Sequence, residues 1–410
     1  MSLFWRVSAP FIAGYFVSYV YRMVNAVLAP TLVAEFGLSA GELGLLSSMY
    51  FLSFALVQLP FGVALDRFGP RRVNATLLLL AAAGGLLFST AESYASLVLA
   101  RALIGLGVSV CLMASLTAFV LWYPPERIST MNGIAFAAGA LGAMTATVPL
   151  ELLLRAWHWR DAFMLIVAAT LVVSLVLWFC VPERAEPSRR ASTREQLRAL
   201  GSLLVDAAFL RLALCLGASQ CAAVALQTLW IATWLRDVAG YTPAGVARGL
   251  LAVNVAMIVG YIGFGRAADL WQRRGRDPLA LLIAGVAASA ASLGLLVFGL
   301  GSLLVWCVFV AAGTAVVLGY SILSRRVPRE MAGRANTAIN VVGFVGMFSG
   351  QWGIGLVLDL WPQTKAAEFT GYAPEAYPWA LGMVWAVQLA GLAWLWSGRK
   401  LLVERVRASL

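Results

Sequence analysis

The sequence has 410 residues, of which 61% are hydrophobic and only 12% are charged, and it carries a net charge of +11. Soluble domains contain about 45–50% apolar and about 25% charged residues, so this composition excludes a soluble globular protein. The positive charge could indicate nucleic-acid binding, but the basic residues cluster in alternate loops between apolar runs. Such alternation orients a protein in a membrane, so we expect an all-α membrane protein that binds no nucleic acid.

Twelve apolar runs follow one another along the chain, each near the length of about 20 residues that crosses a bilayer. The runs of the first half cover 9–33, 42–65, 73–90, 95–121, 131–154 and 160–181. The runs of the second half cover 209–235, 244–268, 279–299, 302–322, 336–360 and 379–396. Short loops join the runs within each half, which predicts antiparallel neighbouring helices.

The only long polar stretch separates the two halves and is rich in proline, serine and arginine, as is typical of a surface linker. We predict an N-terminal six-helix bundle (1–181), a cytoplasmic linker (182–206), a C-terminal six-helix bundle (207–398) and a cytoplasmic tail (399–410). The arginines of the linker and the tail fall on one side of the predicted membrane, so the positive-inside rule places both termini in the cytoplasm. Lysine is scarce beside abundant arginine, which favours a bacterial protein and therefore the inner membrane.

The turn between the second and third runs is charged, and it has a fainter copy in the second half. It reads Gly62-Val-Ala-Leu-Asp66-Arg67-Phe-Gly69-Pro-Arg71-Arg72. Gly69 permits a sharp reversal, and Asp66 stands at a helix end, where a carboxylate can pair with an arginine or cap a neighbouring helix. The copy repeats the glycine-to-aspartate interval at Gly265 and Asp269 and has Arg273 further on. A charged turn that occurs once per half indicates a duplicated membrane protein.

This pattern of glycines, aspartate and arginines resembles the signature of the major facilitator superfamily. The resemblance implies two pseudo-symmetric bundles of six transmembrane helices each, in a secondary transporter whose halves rock about a central substrate site. It also implies a cytoplasmic latch between the halves, formed by Gly62, Asp66, Arg67, Gly69, Arg71 and Arg72. In the copy, Leu270 and Trp271 interrupt the pattern, and the corresponding latch residues are Gly265, Asp269 and Arg273.

Arg22 lies midway along the first run, where an arginine costs about 2.5–3.5 kcal/mol on insertion scales. We expect it to face protein or a water-filled cavity, and helical spacing places Tyr15, Ser18 and Asn25 on the same stripe. A guanidinium flanked by hydroxyl groups in a low-dielectric cavity suits a carboxylate, which it can bind through two hydrogen bonds. The structural alternative is an arginine paired with carbonyl groups or an acid, which would hold helices together.

The sequence from Tyr19 to Arg22, followed by Asn25 and Pro30, resembles the organic-anion branch of the superfamily. This resemblance implies that Arg22 contacts the acid group of the substrate. The other residues expected near the substrate are neutral, and they are Tyr15, Tyr19, Asn25, Tyr50, Gln220, Gln227, Trp230, Asn254, Tyr320 and Asn340. The basic group thus lies in the N-terminal half and the C-terminal half supplies neutral groups, which favours a small anion with an apolar or hydroxylated remainder.

Two further charged residues are candidates for coupling transport to an ion. Arg101 opens a segment with Gly105 and Gly107 that resembles a second superfamily motif, whose arginine is linked to proton transfer or to helix packing. Both roles stay open for Arg101. Apart from Glu151, near the outer end of the fifth run, we find no acid well inside a helix, and Glu151 can pair with Arg155 one turn on. The organic-anion branch often has embedded acids, so their scarcity favours facilitated diffusion or anion exchange.

We therefore expect a secondary active or facilitative transporter, a symporter or an antiporter, that moves a small organic anion across the cytoplasmic membrane by alternating access. One alternative is an exporter of amphiphilic or drug-like compounds, and a second is a non-transporting assembly or sensor protein on the same fold. The sequence has no nucleophile–base pair, metal-ligand cluster or phosphate loop, so we predict no enzyme activity, cofactor or bound metal. The expected partners are a small-molecule substrate and the lipid bilayer, and we expect a monomer.

Overall fold

The computed structural model describes residues 3–182, 206–324, 329–365 and 370–399. Twelve helices within these ranges are long and apolar enough to cross a membrane. They confirm the predicted all-α membrane fold with two bundles of six helices. The predicted linker and tail lie, apart from Pro182, Asp206 and Arg399, outside the described residues.

The transmembrane helices follow the order of the apolar runs. The first six are α1 (Phe4–Phe36), α2 (Ala40–Phe68), α3 (Pro70–Ser89), α4 (Tyr94–Val108 and Cys111–Trp122), α5 (Pro125–Thr145 and Val148–Ala156) and α6 (Trp159–Cys180). The second six are α7 (Ala207–Asp237), α8 (Pro243–Arg273), α9 (Leu279–Val297), α10 (Leu303–Gly313, Thr314–Val316 and Val317–Ser324), α11 (Arg329–Leu358) and α12 (Tyr377–Ser397). Many helices extend beyond the predicted spans, because their polar end turns are helical although they are not apolar.

Several spans are not continuous α-helices, which their hydropathy did not indicate. The predicted span over 131–154 is confirmed, but within it the α-helix α5 is interrupted at Ala146 and Thr147. Pro149 stands in the first turn after this interruption, where its missing N–H leaves no helical hydrogen bond unmade. In α7, residues Leu226–Trp230 form a turn of π-helix.

The described residues form two compact units. Unit 1 takes those in Met1–Gly37 and Met49–Thr193, and unit 2 takes those in Leu38–Ser48 and Arg194–Leu410. The helix α2 therefore begins in unit 2 and continues in unit 1, and it is unbroken from Ala40 to Phe68.

Close packing of α4 in unit 1 positions the residues considered below. A Cβ atom added at Gly105 would lie 2.6 Å from the carbonyl oxygen of Tyr50, and one added at Gly107 would overlap the backbone of Ala81. Only glycine leaves room for α2 and α3 at these positions, as the sequence indicated. Arg101, one helical turn before Gly105, is thereby held beside Tyr50.

The core of unit 2 is built around α7. Phe209, Leu212 and Leu216 are buried against Leu282 of α9 and Ile339 of α11. Between α11 and α12, the chain forms a short antiparallel pair of strands, β1 (Thr364–Lys365) and β2 (Thr370–Gly371).

Candidate functional site

Arg22 lies in an aromatic enclosure inside unit 1. Its guanidinium carbon is 4.6 Å from the ring centre of Tyr19, which is one helical turn away on α1. The ring centres of Tyr50 and Phe54 on α2 are each 5.7 Å from the same carbon. At these distances the rings attract the cation through their π faces, so they hold the guanidinium without neutralising its charge.

The described residues offer Arg22 no acid partner. The ion pairs among them join other residues, and the Nε atom of Arg22 is buried without a hydrogen bond. An arginine that only held helices together would be expected to bond carbonyl groups or an acid. Arg22 thus keeps a free donor at Nε, while a hydrogen bond with the Tyr50 side chain joins it to α2.

Arg101 brings a second guanidinium group to the same aromatic ring. It is 1% exposed, its Nη1 donates a hydrogen bond of 2.8 Å to the carbonyl oxygen of Tyr21, and its Nε is buried without a partner. Its guanidinium carbon is 5.3 Å from the ring centre of Tyr50. The Tyr50 ring is thus in contact with two arginines, Arg22 of α1 and Arg101 of α4. The interior of unit 1 is strongly electropositive here, and an anion would offset that charge.

The ring of Tyr50 is fixed by a hydrogen bond of its own. Its hydroxyl group donates to the carbonyl oxygen of Ser18 at 3.1 Å and lies 3.3 Å from the Ser18 hydroxyl. Tyr15 is buried edge-on to Tyr19, with 5.1 Å between the ring centres, and Asn25 is buried one turn beyond Arg22. The structure therefore brings Tyr15, Tyr19, Arg22 and Tyr50 together, and Ser18, which the helical spacing placed on the stripe of Arg22, bonds Tyr50.

The candidate residues of unit 2 separate into two groups. In the first, the Nε2 atom of Gln227 donates to the Oδ1 atom of Asn254 at 2.9 Å and lies 3.2 Å from the sulfur of Met257. The Nδ2 atom of Asn254 is buried without a hydrogen bond. Gln227 belongs to the π-helical turn of α7, and such turns recur at functional sites because they reorient side chains.

In the second group, hydrogen bonds join three predicted residues in a chain. The Nε2 atom of Gln220 donates to the Tyr320 hydroxyl at 3.3 Å, and that hydroxyl donates to the Oδ1 atom of Asn340 at 2.7 Å. These groups satisfy one another, which is the ordinary behaviour of polar side chains that hold transmembrane helices together.

Sequence reasoning missed Gln351, which lies beside the first group. Its carbonyl oxygen accepts a hydrogen bond of 2.9 Å from the Trp230 indole, and its Nε2 atom lies 3.3 Å from the Thr228 hydroxyl. Its Oε1 atom is buried without a hydrogen bond. A lone glutamine within the apolar run 336–360 was the available signal.

The charged turn after α2 has the expected geometry where it is described. Gly69 has a φ of 79°, which permits the reversal between α2 and α3. The Nε and Nη2 atoms of Arg71 donate to the carbonyl oxygen of Trp178 at 3.1 and 2.5 Å, so Arg71 closes the last turn of α6. The side chain of Asp66 lies outside the described residues. Of the remaining latch candidates, Gly62 lies within α2, and Arg67 and Arg72 are exposed. In the second half, Gly265 lies within α8, and Asp269 and Arg273 are exposed near the end of that helix.

Acids near the other end of the helices are matched by cations. Glu151 accepts a hydrogen bond of 2.8 Å from Arg155 one turn on, so the pairing expected from the sequence is confirmed. The side chain of Asp237, at the end of α7, is buried. It pairs with Arg236 through bonds of 2.5 and 3.1 Å and accepts a bond of 2.7 Å from the Tyr377 hydroxyl. Burial raises the pKa of the neighbouring Tyr372.

Twelve apolar helices among the described residues, with the buried Arg101 and the partly buried Arg22 lacking a described acid partner, characterise a multi-pass membrane protein. The model of the Major Facilitator Superfamily matches residues 11–351, and the chain belongs to this family.

Curated relatives and a solved structure agree with this assignment. The "Probable sulfoacetate transporter SauU" of Cupriavidus necator is 28% identical over 181 residues, which make up 44% of this chain and 42% of that protein. The "Hexuronate transporter" of Bacillus subtilis is 27% identical over 170 residues, or 41% of this chain and 40% of that protein. The chain thus matches less than half the length of these curated relatives. A bacterial homologue of the human lysosomal transporter Spinster has a TM-score of 0.78 at 15% identity, over 99% of both chains, which shows the fold.

Proposed function

We propose that the protein transports a small organic anion across the cytoplasmic membrane of a bacterium by alternating access, with Arg22 as the principal contact of the acid group. The observation that carries this proposal is the buried, unpartnered Nε atom of Arg22 within an aromatic enclosure. Nε and one terminal nitrogen form the edge of a guanidinium that binds a carboxylate through two parallel hydrogen bonds.

The free energy of hydrogen bonds to Arg22 supports an anionic substrate. Each hydrogen bond between charged groups contributes about 1.5–3 kcal/mol. Two such bonds to a carboxylate therefore offset the free-energy cost of placing Arg22 inside the membrane. The Arg101 guanidinium, whose carbon is 5.3 Å from the centre of the same Tyr50 ring, adds favourable charge for the same ligand. A cationic drug would instead be repelled by both arginines, which disfavours the drug-export alternative.

The neutral side chains of unit 2 support a substrate whose remainder is uncharged. Asn254 retains a buried free donor, and Gln351 retains a buried free acceptor. An unpaired donor and an unpaired acceptor suit hydroxyl groups, which can both accept and donate. The names of the two relatives agree with this class, since sulfoacetate and hexuronate are both acid anions.

The pairing of two acids, Glu151 and Asp237, bears on whether transport is coupled to protons. Glu151 is paired within its own helix, and Asp237 is paired with Arg236. Neither is poised to exchange a proton with a substrate. We therefore favour facilitated diffusion or anion exchange over proton-coupled transport.

Thermal unfolding of the purified protein tests the substrate class. The panel consists of monocarboxylates, sugar acids, sulfonates, inorganic anions, neutral sugars and cationic amphiphiles, measured with the wild type, Arg22→Gln and Arg22→Lys. A ligand at about 100 times its dissociation constant adds about 2.7 kcal/mol to the stability of the folded state.

We expect an organic acid to stabilise the wild type, Arg22→Lys to bind it more weakly because lysine lacks the planar two-bond edge, and Arg22→Gln not to respond. Stabilisation by cationic amphiphiles alone, or an equal response of the wild type and Arg22→Gln to an acid, would contradict the proposal.

A further inference from the structure

Asp359, the residue that follows α11, binds the beginning of α2. Its Oδ1 atom accepts a hydrogen bond of 2.7 Å from the backbone N–H of Ala40. Its Oδ2 atom accepts bonds of 2.8 Å from the backbone N–H of Gly41 and from the Ser39 hydroxyl. All of these residues belong to unit 2. Both oxygens of one carboxylate are thus used on a single helix terminus.

The helix α2 does not need this carboxylate in order to be capped. The Ser39 hydroxyl accepts from the N–H of Glu42 at 3.2 Å, and the Glu42 carboxylate accepts from the N–H of Ser39 at 2.9 Å. This reciprocal arrangement is a capping box, which satisfies two of the N–H groups at the helix start. Asp359 adds bonds to the remaining free N–H groups and places a negative charge at the positive end of the helix dipole. The contact of Asp359 is therefore additional to what α2 requires for folding.

Glycines allow the end of α11 to approach α2 closely enough for this contact. A Cβ atom added at Gly44 would lie 2.8 Å from the carbonyl oxygen of Gln351, and one added at Gly41 would lie 2.7 Å from the Oδ2 atom of Asp359. Beyond Asp359, the Nε2 atom of Gln363 donates to the carbonyl oxygen of Leu38 at 3.2 Å. Hydrogen bonds and backbone contacts of this kind lie here beside the apolar side chains of Trp230 and Leu356, and the hydrogen bonds can be exchanged for bonds to water.

The helix α2 is shared by both units. Its residues up to Ser48 belong to unit 2, and those from Met49 onward belong to unit 1. It is an unbroken helix between Ala40 and Phe68, so it has no hinge at the boundary. If the units change orientation in a transport cycle, the part of α2 before Pro60, which is unbroken across the boundary, can follow only one of them. The contacts of its first turns with α11 are then the ones that must break.

We propose that Asp359 and the first turn of α2 (Ser39, Ala40 and Gly41) form a releasable latch that stabilises one end state of the transport cycle. This α2–α11 latch stands at the opposite end of α2 from the Asp66 turn. The proposal depends on the alternating-access part of the proposed function and not on the nature of the substrate. Asp359 is exposed, so water can replace the three bonds when the latch opens.

Distances between spin labels, measured without substrate, test the latch. One label is placed at the exposed Glu92 of unit 1 and the other at the exposed Leu300 of unit 2, after Cys180 and Cys307 are replaced by serine. In Asp359→Asn, a neutral amide with one acceptor oxygen replaces a charged carboxylate with two acceptor oxygens. The ratio of the long-distance to the short-distance population should rise about tenfold, which corresponds to about 1.4 kcal/mol.

Gly41→Ala provides an independent variant that favours folding, because alanine is a better helix former than glycine. Its new methyl group would lie 2.7 Å from the Oδ2 atom of Asp359 and displace that carboxylate. The long-distance population should therefore rise, as in Asp359→Asn. Glu375→Gln is the matched control, since it removes an exposed negative charge from unit 2 outside the latch, and it should leave the distances unchanged.

Unchanged populations in both Asp359→Asn and Gly41→Ala would overturn the latch, and so would an equal shift in Glu375→Gln. A single distance in every variant would also overturn it, because the latch requires two end states. Failure of the anion proposal leaves these outcomes unaffected, since no substrate is present in the measurement.

Discussion

Replacing Arg22 by methionine should stabilise the protein when no ligand is present. A central arginine costs about 2.5–3.5 kcal/mol on insertion scales, and cation–π contacts return about 0.5–2 kcal/mol of this. The nearest of these contacts is with Tyr19 at 4.6 Å, and the described residues provide no ion pair. The free energy of unfolding should therefore rise by about 0.5–3 kcal/mol in Arg22→Met, although the variant loses its response to anions.

Denaturation in detergent micelles, in a buffer without organic acids, measures this change. Arg266→Met is the matched control, because Arg266 is exposed on α8 and its replacement removes the same charge from a helix. We expect the control to remain within about 0.5 kcal/mol of the wild type. If Arg22→Met instead lowers the stability by more than about 1 kcal/mol, Arg22 holds helices together and the reasoning about its burial is refuted.

Three further substitutions test other parts of the account. Gly105→Ala should lower the free energy of unfolding by about 1–3 kcal/mol, because the new methyl group would lie 2.6 Å from the Tyr50 carbonyl oxygen. Unchanged stability in unfolding assays would contradict the close packing of α4. Glu151→Gln should leave the pH profile of transport unchanged, since Arg155 pairs with this acid; a shifted profile would make Glu151 a coupling residue. Gln227→Ala should weaken binding of hydroxylated anions about tenfold and spare anions without hydroxyl groups, as measured by calorimetry. Equal weakening of both would remove Gln227 from substrate selection.

The sequence predicted those parts of the fold that depend on local pattern. Hydropathy located the twelve spans, because each is a single apolar run of bilayer length. The helical period placed Tyr15, Ser18 and Asn25 on one stripe with Arg22, and in the structure Tyr50 contacts both Ser18 and Arg22. The pairing of Glu151 with Arg155 was likewise predictable, since residues four apart are neighbours on a helix.

Features that depend on packing between distant segments could not be predicted. Nothing in the sequence around Arg101 indicates Tyr50, and the contact arises because Gly105 lets α4 approach α2. Asp359 lies 320 residues from Ser39, and its place at the end of an apolar run gave no sign of a partner. The π-helical turn of α7 was also hidden, because it changes the hydrogen-bond register without changing the hydropathy.

Uptake into proteoliposomes tests the central claim most directly. The anion that stabilises the wild type is supplied in labelled form outside vesicles loaded with the same unlabelled anion, at neutral pH and without a proton gradient. The account predicts rapid accumulation of label by the wild type and at least about a hundredfold slower exchange by Arg22→Gln, because a two-bond charged contact is lost. Exchange by Arg22→Gln at the wild-type rate would show that Arg22 does not bind the substrate.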